Sequence, residues 1–121
     1  MDAPDPLTER ILGCAFAVCN TLGPGFLEKV YENALAMELR LAGTEVEQQF
    51  AVDVRYREAV VGHFVADLLV DRKVLVELKA AQSLEDIHIA QCLNYLKATG
   101  LKTCLLLNFG KARLEVRRLV L

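Results

Sequence analysis

The chain has 121 residues, 54% of them hydrophobic and 25% charged, with a formal net charge of −2. That is one domain's worth of chain, with enough apolar residues to bury a core without disulfide or metal staples. The composition excludes a disordered or low-complexity protein, and no apolar run approaches the roughly 18 residues of a membrane-spanning helix.

The opening Met1-Asp2-Ala3-Pro4-Asp5-Pro6 is acidic and lacks the basic region of a secretory signal. Leu7 to Leu22 reads as a helix: Pro6 suits a first turn, and Ile11, Ala15, Val18 and Leu22 recur at helical spacing. Gly23-Pro24-Gly25 breaks it. A second helix is expected from about Phe26 to Ala42, with Leu27, Val30, Ala34, Met37 and Leu41 as its apolar stripe and Gly43 as its stop.

The period then changes to two. Glu45 to Arg57, Val60 to Val70 and Lys73 to Lys79 read as three strands, joined by turns at Glu58-Ala59 and at Asp71-Arg72-Lys73. Ser83 is the expected N-cap of a helix from Leu84 to Thr99, with Asp86 at its third position, and Gly100 ends it. Leu101 to Asn108 is almost wholly apolar, as in a strand buried on both faces. Phe109-Gly110-Lys111 turns the chain, and Arg113 to Leu121 alternates as a last strand. The order ααβββαββ describes a single mixed α/β (α+β) domain over residues 1–121, a central sheet flanked by helices.

The four cysteines, Cys14, Cys19, Cys92 and Cys104, form no CxxC pair and no Cys/His spacing that suits zinc. Each lies in an apolar run and reads as a reduced core thiol, which points to the cytoplasm. Charge is uneven. Residues 1–50 carry three basic and eight acidic side chains, residues 51–121 eleven and eight. Lys111, Arg113, Arg117 and Arg118 read as a solvated strand edge, with a phosphate-facing rim as the alternative.

One cluster stands out. Glu77 and Lys79 are two apart on a strand and share a face. In the strand before, His63, Val65, Asp67 and Leu69 are expected to share one face. If the loop is centred on Arg72, Asp67 and Glu77 sit opposite each other, Cβ atoms roughly 5 Å apart. Their neighbours are apolar, and like charges opposed on a sheet face are destabilising. Such a pair needs a cation: Lys79, a helix residue, or a hard divalent ion that prefers oxygen ligands. Spacing alone leaves the structural and the metal-binding readings open.

Asp67 followed by Glu77-Leu78-Lys79 on the next strand, and then by a helix, resembles the PD-(D/E)XK nuclease superfamily. More narrowly, Gly25-Phe26-Leu27-Glu28-Lys29-Val30-Tyr31 resembles the signature of the small bacterial GxxExxY proteins. The resemblance runs from about Ala17 to Leu121. It includes Val65-Ala66-Asp67 and the stretch from Gln91 through Tyr95 to Gly100; Ala66 stands where the superfamily name has proline. It implies a restriction-endonuclease-like core that binds Mg²⁺, with Mn²⁺ as a substitute, through Asp67, Glu77 and the Leu78 carbonyl. Glu28 would complete the ligand set directly or through water. Lys79 would orient or deprotonate the attacking water, and Gln91 and Tyr95 would approach the metal site and the nucleic-acid backbone.

The function implied is metal-dependent phosphodiester hydrolysis, with DNA favoured over RNA. The alternative is a non-catalytic nucleic-acid- or protein-binding module on the same fold, since the net charge offers limited grip on a polyanion. No P-loop, dinucleotide fingerprint or nucleophile elbow is present. The expected partner is nucleic acid, not a membrane, and a homodimer pairing through the last strand is a further expectation. His88 reads as a surface residue, His63 has no partner spacing that makes it a ligand, Tyr56 and Phe109 read as packing residues, and Tyr31 shares a helix face with Glu28 as part of the Gly-x-x-Glu-x-x-Tyr match.

Overall fold

Asp5 starts the first helix. Its carboxylate accepts the Thr8 N–H at 2.8 Å and the Thr8 hydroxyl at 3.0 Å, the standard use of an N-cap carboxylate. From there the computed structural model describes residues 5–121; the acidic opening, 1–4, lies outside the described residues. The elements are α1 (Pro6–Leu22), α2 (Glu28–Leu41), β1 (Val46–Tyr56), β2 (Ala59–Val70), β3 (Val74–Lys79), α3 (Asp86–Thr99), β4 (Thr103–Asn108) and β5 (Glu115–Val120). This is the order the sequence predicts.

The strands form one sheet in spatial order β1-β2-β3-β4-β5. β3 and β4 are parallel, and α3 makes the crossover between them; the other neighbours are antiparallel. α1 and α2 cover one face, where Ile11, Tyr31 and Leu35 meet Leu68, Val76 and Leu107. α3 covers the other, where Cys92, Tyr95 and Leu96 meet Leu69, Leu75 and Leu106. β4 is buried on both faces, as its composition requires: Cys104 to Leu107 are all 0% exposed. Cys19, Cys92 and Cys104 are buried and all four cysteines are free. No described helix is long and apolar enough to cross a membrane.

Three expectations change. The first concerns α2. Leu27, Met37 and Leu41 of the expected stripe are 81%, 63% and 77% exposed. The buried residues are Tyr31, Glu32, Leu35, Ala36 and Leu39. Positions 31, 35 and 39 also recur at helical spacing, and the Tyr31 ring decides between the two faces. It stacks on Phe109 at 4.9 Å between centroids, while its hydroxyl donates to the Gly23 carbonyl at 2.6 Å and accepts the Phe26 N–H at 3.1 Å.

The second concerns α3. Ser83 is not its cap; the helix starts at Asp86, after an extended Glu85 whose N–H donates to His88 Nδ1 at 3.1 Å. The preceding segment is tied elsewhere. Asn108, fully buried, accepts the Ala81 N–H and donates to the Ala81 carbonyl, both at 3.0 Å, and Leu84 N–H donates to Glu115 at 3.2 Å.

The third concerns β2. Strict alternation puts Phe64, Ala66, Leu68 and Val70 on one face. Instead Phe64 and Ala66 pack with the α3 layer, and Leu68 and Val70 with the α1–α2 layer. β1 changes face with it: Val46 packs with α1–α2 and Phe50 with α3. The β1–β2 ladder pairs Gln48 with Leu68 and Phe50 with Ala66, and passes over Gln49 and Asp67. Gln49 has φ 56°, a left-handed conformation uncommon away from glycine. Asp67 therefore sits where the strand changes face, and His63, Val65, Asp67 and Leu69 do not share one.

Candidate active site

The β2–β3 turn carries Asp71 and Arg72 at positive φ, and Val70–Val74, Leu69–Leu75 and Leu68–Val76 pair across it. That is the register centred on Arg72. The ladder stops one step before Asp67 and Glu77 would pair, and there side chains replace backbone bonds. Asp67 N–H donates to Glu77 Oε1 at 3.0 Å, and Leu78 N–H donates to Asp67 Oδ2 at 2.8 Å. Each carboxyl holds the other strand's amide with one oxygen. Asp67 Oδ1 and Glu77 Oε2 accept no backbone N–H among the described residues, and the two carboxyl groups are within hydrogen-bonding reach of each other.

Both groups are held toward their neutral forms. Burial pushes the Asp67 carboxyl up, and the charges of Glu32 and Glu28 add to it. Burial pushes Glu77 up to about 9, and the charge of Asp67 adds to that. Lys79, next on the same face of β3, acts on Glu77 in the opposite direction. Two coupled acids that near each other share a proton until something more positive replaces it.

Glu28 is the first residue of α2. The Gly23–Phe26 turn that places it there is latched by Tyr31, and its Oε2 accepts the Ala80 N–H at 3.3 Å, directly after Lys79. It reaches β3 from the α1–α2 side. From the other side come Tyr95 and Gln91. The Gln91 amide donates to the Tyr95 hydroxyl at 2.6 Å, and the Tyr95 ring stacks on Phe64 at 3.8 Å, 7° from parallel. Burial, then the charge of Glu77, pushes the Tyr95 hydroxyl up to about 12. The structure thus joins Asp67 and Glu77 near the end of β3, with Lys79 next on the same strand face, Glu28 on the Ala80 amide and Gln91 on the Tyr95 hydroxyl.

The two histidines lie elsewhere. His63 Nδ1 meets Asp53 at 2.8 Å on the exposed part of the β1–β2 pair, and His88 caps α3. Of the late basic residues, Arg117 and Arg118 lie exposed on the edge strand β5, and Arg118 is 3.9 Å from Asp5.

Sequence reasoning missed Glu32. It is 4% exposed and accepts from Lys29 at 3.1 Å, Gln48 at 2.9 Å and Gln49 at 2.7 Å. It clamps the break in β1 that lies beside Asp67. The signal was available: Glu32 is four residues from Glu28, and Glu47-Gln48-Gln49 puts three polar residues in a row in a strand that only roughly alternates. Asn108 was missed too, hidden at the end of an apolar run.

A hard divalent ion fits this donor set. Two carboxyl groups, each with an oxygen that accepts no backbone N–H, lie together in a buried, net-negative setting. The backbone groups of one strand residue face the same neighbouring strand, so the Leu78 carbonyl belongs with its N–H on the Asp67 side. Among the described residues, no three His, Cys, Asp or Glu side chains converge on a metal-holding arrangement. The fit therefore rests on two carboxylates and a carbonyl.

A family model described as the PD-(D/E)XK nuclease superfamily matches residues 5–119. The chain belongs to the PD-(D/E)XK nuclease superfamily. Nucleases of this superfamily generally use divalent metal ions, and membership supports phosphodiester hydrolysis of nucleic acid. Among solved structures the chain is similar to an alkaline exonuclease from Laribacter hongkongensis, at 15% identity and a TM-score of 0.56. The likeness covers 98% of this chain and 72% of that one, and shows a shared, restriction-endonuclease-like fold. No curated protein matches the chain.

Proposed function

We propose that this protein is a metal-dependent nuclease with Mg²⁺ as its natural ion, Mn²⁺ as a substitute, and DNA rather than RNA as its first substrate. The observation that carries the reading is the Asp67–Glu77 pair: two acids, one buried and one half-buried, joined through backbone amides and each keeping an oxygen that accepts no backbone N–H. Asp67, Glu77 and the Leu78 carbonyl would hold the ion; Glu28 does not converge with the two acids on a direct site and would join them through water. A bound ion supplies Lewis acidity toward phosphate oxygens and water. Lys79, next on the same face of β3 as Glu77, would orient the attacking water as an ammonium or, as the unprotonated amine, take its proton. Gln91 fixes the Tyr95 hydroxyl at the rim on the α3 side. The Tyr31 latch and the placement of Glu28 support counting the chain among the GxxExxY proteins of the bacterial cytoplasm, and edge strand β5 is open to pair with a second copy.

Two experiments test this. Calorimetric titration with Mn²⁺ and Mg²⁺ gives binding in the wild type and none in Asp67→Ala; negligible heat in both rejects the metal site. Incubation with single-stranded, duplex, flap and branched DNA, and with RNA, gives metal-dependent cleavage that Lys79→Ala loses. Cleavage that persists in Lys79→Ala belongs to a contaminant. Silence on every substrate, with metal bound, moves the assignment to a binding module on this fold.

A further inference from the structure

β2 has twelve residues, but only Leu68 to Val70 pair with β3. The rest of the β1–β2 pair is an arm that overhangs the sheet. Between this arm and α3 lies a groove of about 860 Å³, well within the size range of small-ligand sites.

Its walls differ in chemistry. The floor is apolar: Val54 and Phe64 come from the arm, and Ile87 and Ala90 from α3. Phe64 is held rigid by its stack on Tyr95. Cations stand on both banks, Arg55 on the arm and Lys97 on α3, and both are exposed. Neither has an ion-pair partner among the described residues. Asp53, the one acid on the groove, is engaged by His63. Gln91 and Tyr95, which belong to the candidate active site, line it as well.

An apolar floor with an aromatic wall and cations on both banks matches one class of polyanion. A duplex hides its base faces and offers only phosphates. An unpaired strand offers both phosphates and base faces, and bases stack on aromatic side chains with little regard to sequence. We propose that this groove holds a single-stranded nucleic-acid segment, its bases against Phe64 and the apolar floor and its phosphates on Arg55 and Lys97. Unpaired nucleotides then reach Tyr95 and the end of β3 along α3. The inference rests on the nuclease reading for where the strand leads, and not for the binding itself.

Fluorescence anisotropy in EDTA, where cleavage is silent, tests it with labelled dT and rU oligomers and a duplex of equal length. The variants are Arg10→Ala, on α1 across the sheet from the groove, Phe64→Leu and the double charge reversal Arg55→Glu/Lys97→Glu, each checked for folding by thermal melting. Either oligomer should bind the wild type more tightly than the duplex, and Arg10→Ala should bind as the wild type does. The double reversal should weaken binding at least about tenfold and lower the slope of log K against log salt by about 1.4, two phosphate contacts on a single strand. Phe64→Leu keeps apolar bulk without the ring face and should lose about tenfold. Wild-type behaviour in the double reversal, an equal or stronger preference for duplex, or no single-strand binding at low salt overturns the proposal. If cleavage is present and indifferent to the double reversal, the groove is rejected and the nuclease reading stands. If binding depends on the groove and cleavage is absent, the nuclease reading falls and the groove stands.

Discussion

Replacing Glu77 with glutamine separates what this residue does for stability from what it does for metal binding. Glu77 Oε1 accepts the Asp67 N–H, and a glutamine oxygen keeps that bond. The carboxyl is pushed from 4.5 to about 9, first by burial and then by the charge of Asp67. A carboxyl whose folded pKa is raised favours folding in its neutral form. That contribution is complete below about pH 4.5 and is lost as pH climbs through about 9. At pH 7 the unfolded side chain is already about 2.5 pH units above its pKa, so up to about 3 kcal/mol of stability has gone relative to acid. Asp67, also raised, adds with the same sign. Urea unfolding in EDTA at pH 5, 7 and 8.5 measures this. The wild type should lose stability toward alkaline pH, whereas Glu77→Gln should show a flatter profile and exceed the wild type at pH 8.5. Mg²⁺ should restore the wild type at pH 8.5, because the ion takes the place of the shared proton, and should leave Glu77→Gln unchanged. Parallel pH profiles for the two proteins would refute the reasoning, since they would show that Glu77 ionises normally.

Gly110→Ala should cost about 1–3 kcal/mol in thermal melting, because a Cβ there collides with the backbone N and O of Ala81; cleavage should fall as well, since Ala81 follows Lys79 by two residues. Glu32→Gln removes one of the charges that raise Asp67, so the Asp67 carboxyl should titrate at lower pH by carbon-detected NMR. Tyr95→Phe keeps the stack on Phe64 but leaves the Gln91 amide without its acceptor. Urea unfolding should register about 1 kcal/mol.

Much of this fold is written in local pattern. Helix periodicity, the change to a two-residue period at Glu45 and the all-apolar run at Leu101 placed every element in order, and symmetry about Arg72 gave the β2–β3 register. The errors share a cause: tertiary partners that local pattern does not contain. On α2 two apolar stripes compete at the same spacing, and Tyr31 wins its stripe the core through Phe109, seventy-eight residues away. At α3, Ser83 has the chemistry of a cap, but its segment is bound to Asn108 and Glu115 on the neighbouring strands, so the helix starts later. In the site, the acids and the lysine were legible because charge in an apolar strand is conspicuous. Glu32 was not, because a glutamate on a helix is ordinary until Gln48 and Gln49 close on it.

The break at Gln49 and Asp67 joins these points. A regular hairpin would carry the β2–β3 ladder through Asp67 and Glu77 and put both side chains on one face. Here the ladder stops at Leu68–Val76, and the freed amides of Asp67 and Leu78 are taken up by the two carboxyl groups themselves. That satisfies the buried backbone and fixes both acids without a third side chain. It also turns β2 so that Phe64 and Ala66 face α3 while Leu68 faces α1 and α2. The arm beyond the break is thereby presented to α3, which is what makes the groove. Site and groove thus depend on one irregularity, held open by Glu32 through Gln49. The register is kept across the break, from Gln48–Leu68 to Phe50–Ala66, so both strands turn over together without an inserted residue, and strain at a left-handed non-glycine residue persists only where its surroundings enforce it. Glu32→Ala should therefore disturb both at once. With its acceptor gone, Gln49 can relax toward an ordinary strand conformation. Metal affinity and single-strand binding should then fall together in that one variant, although Glu32 belongs to neither ligand set. Loss of one with full retention of the other would show that the two features are built independently.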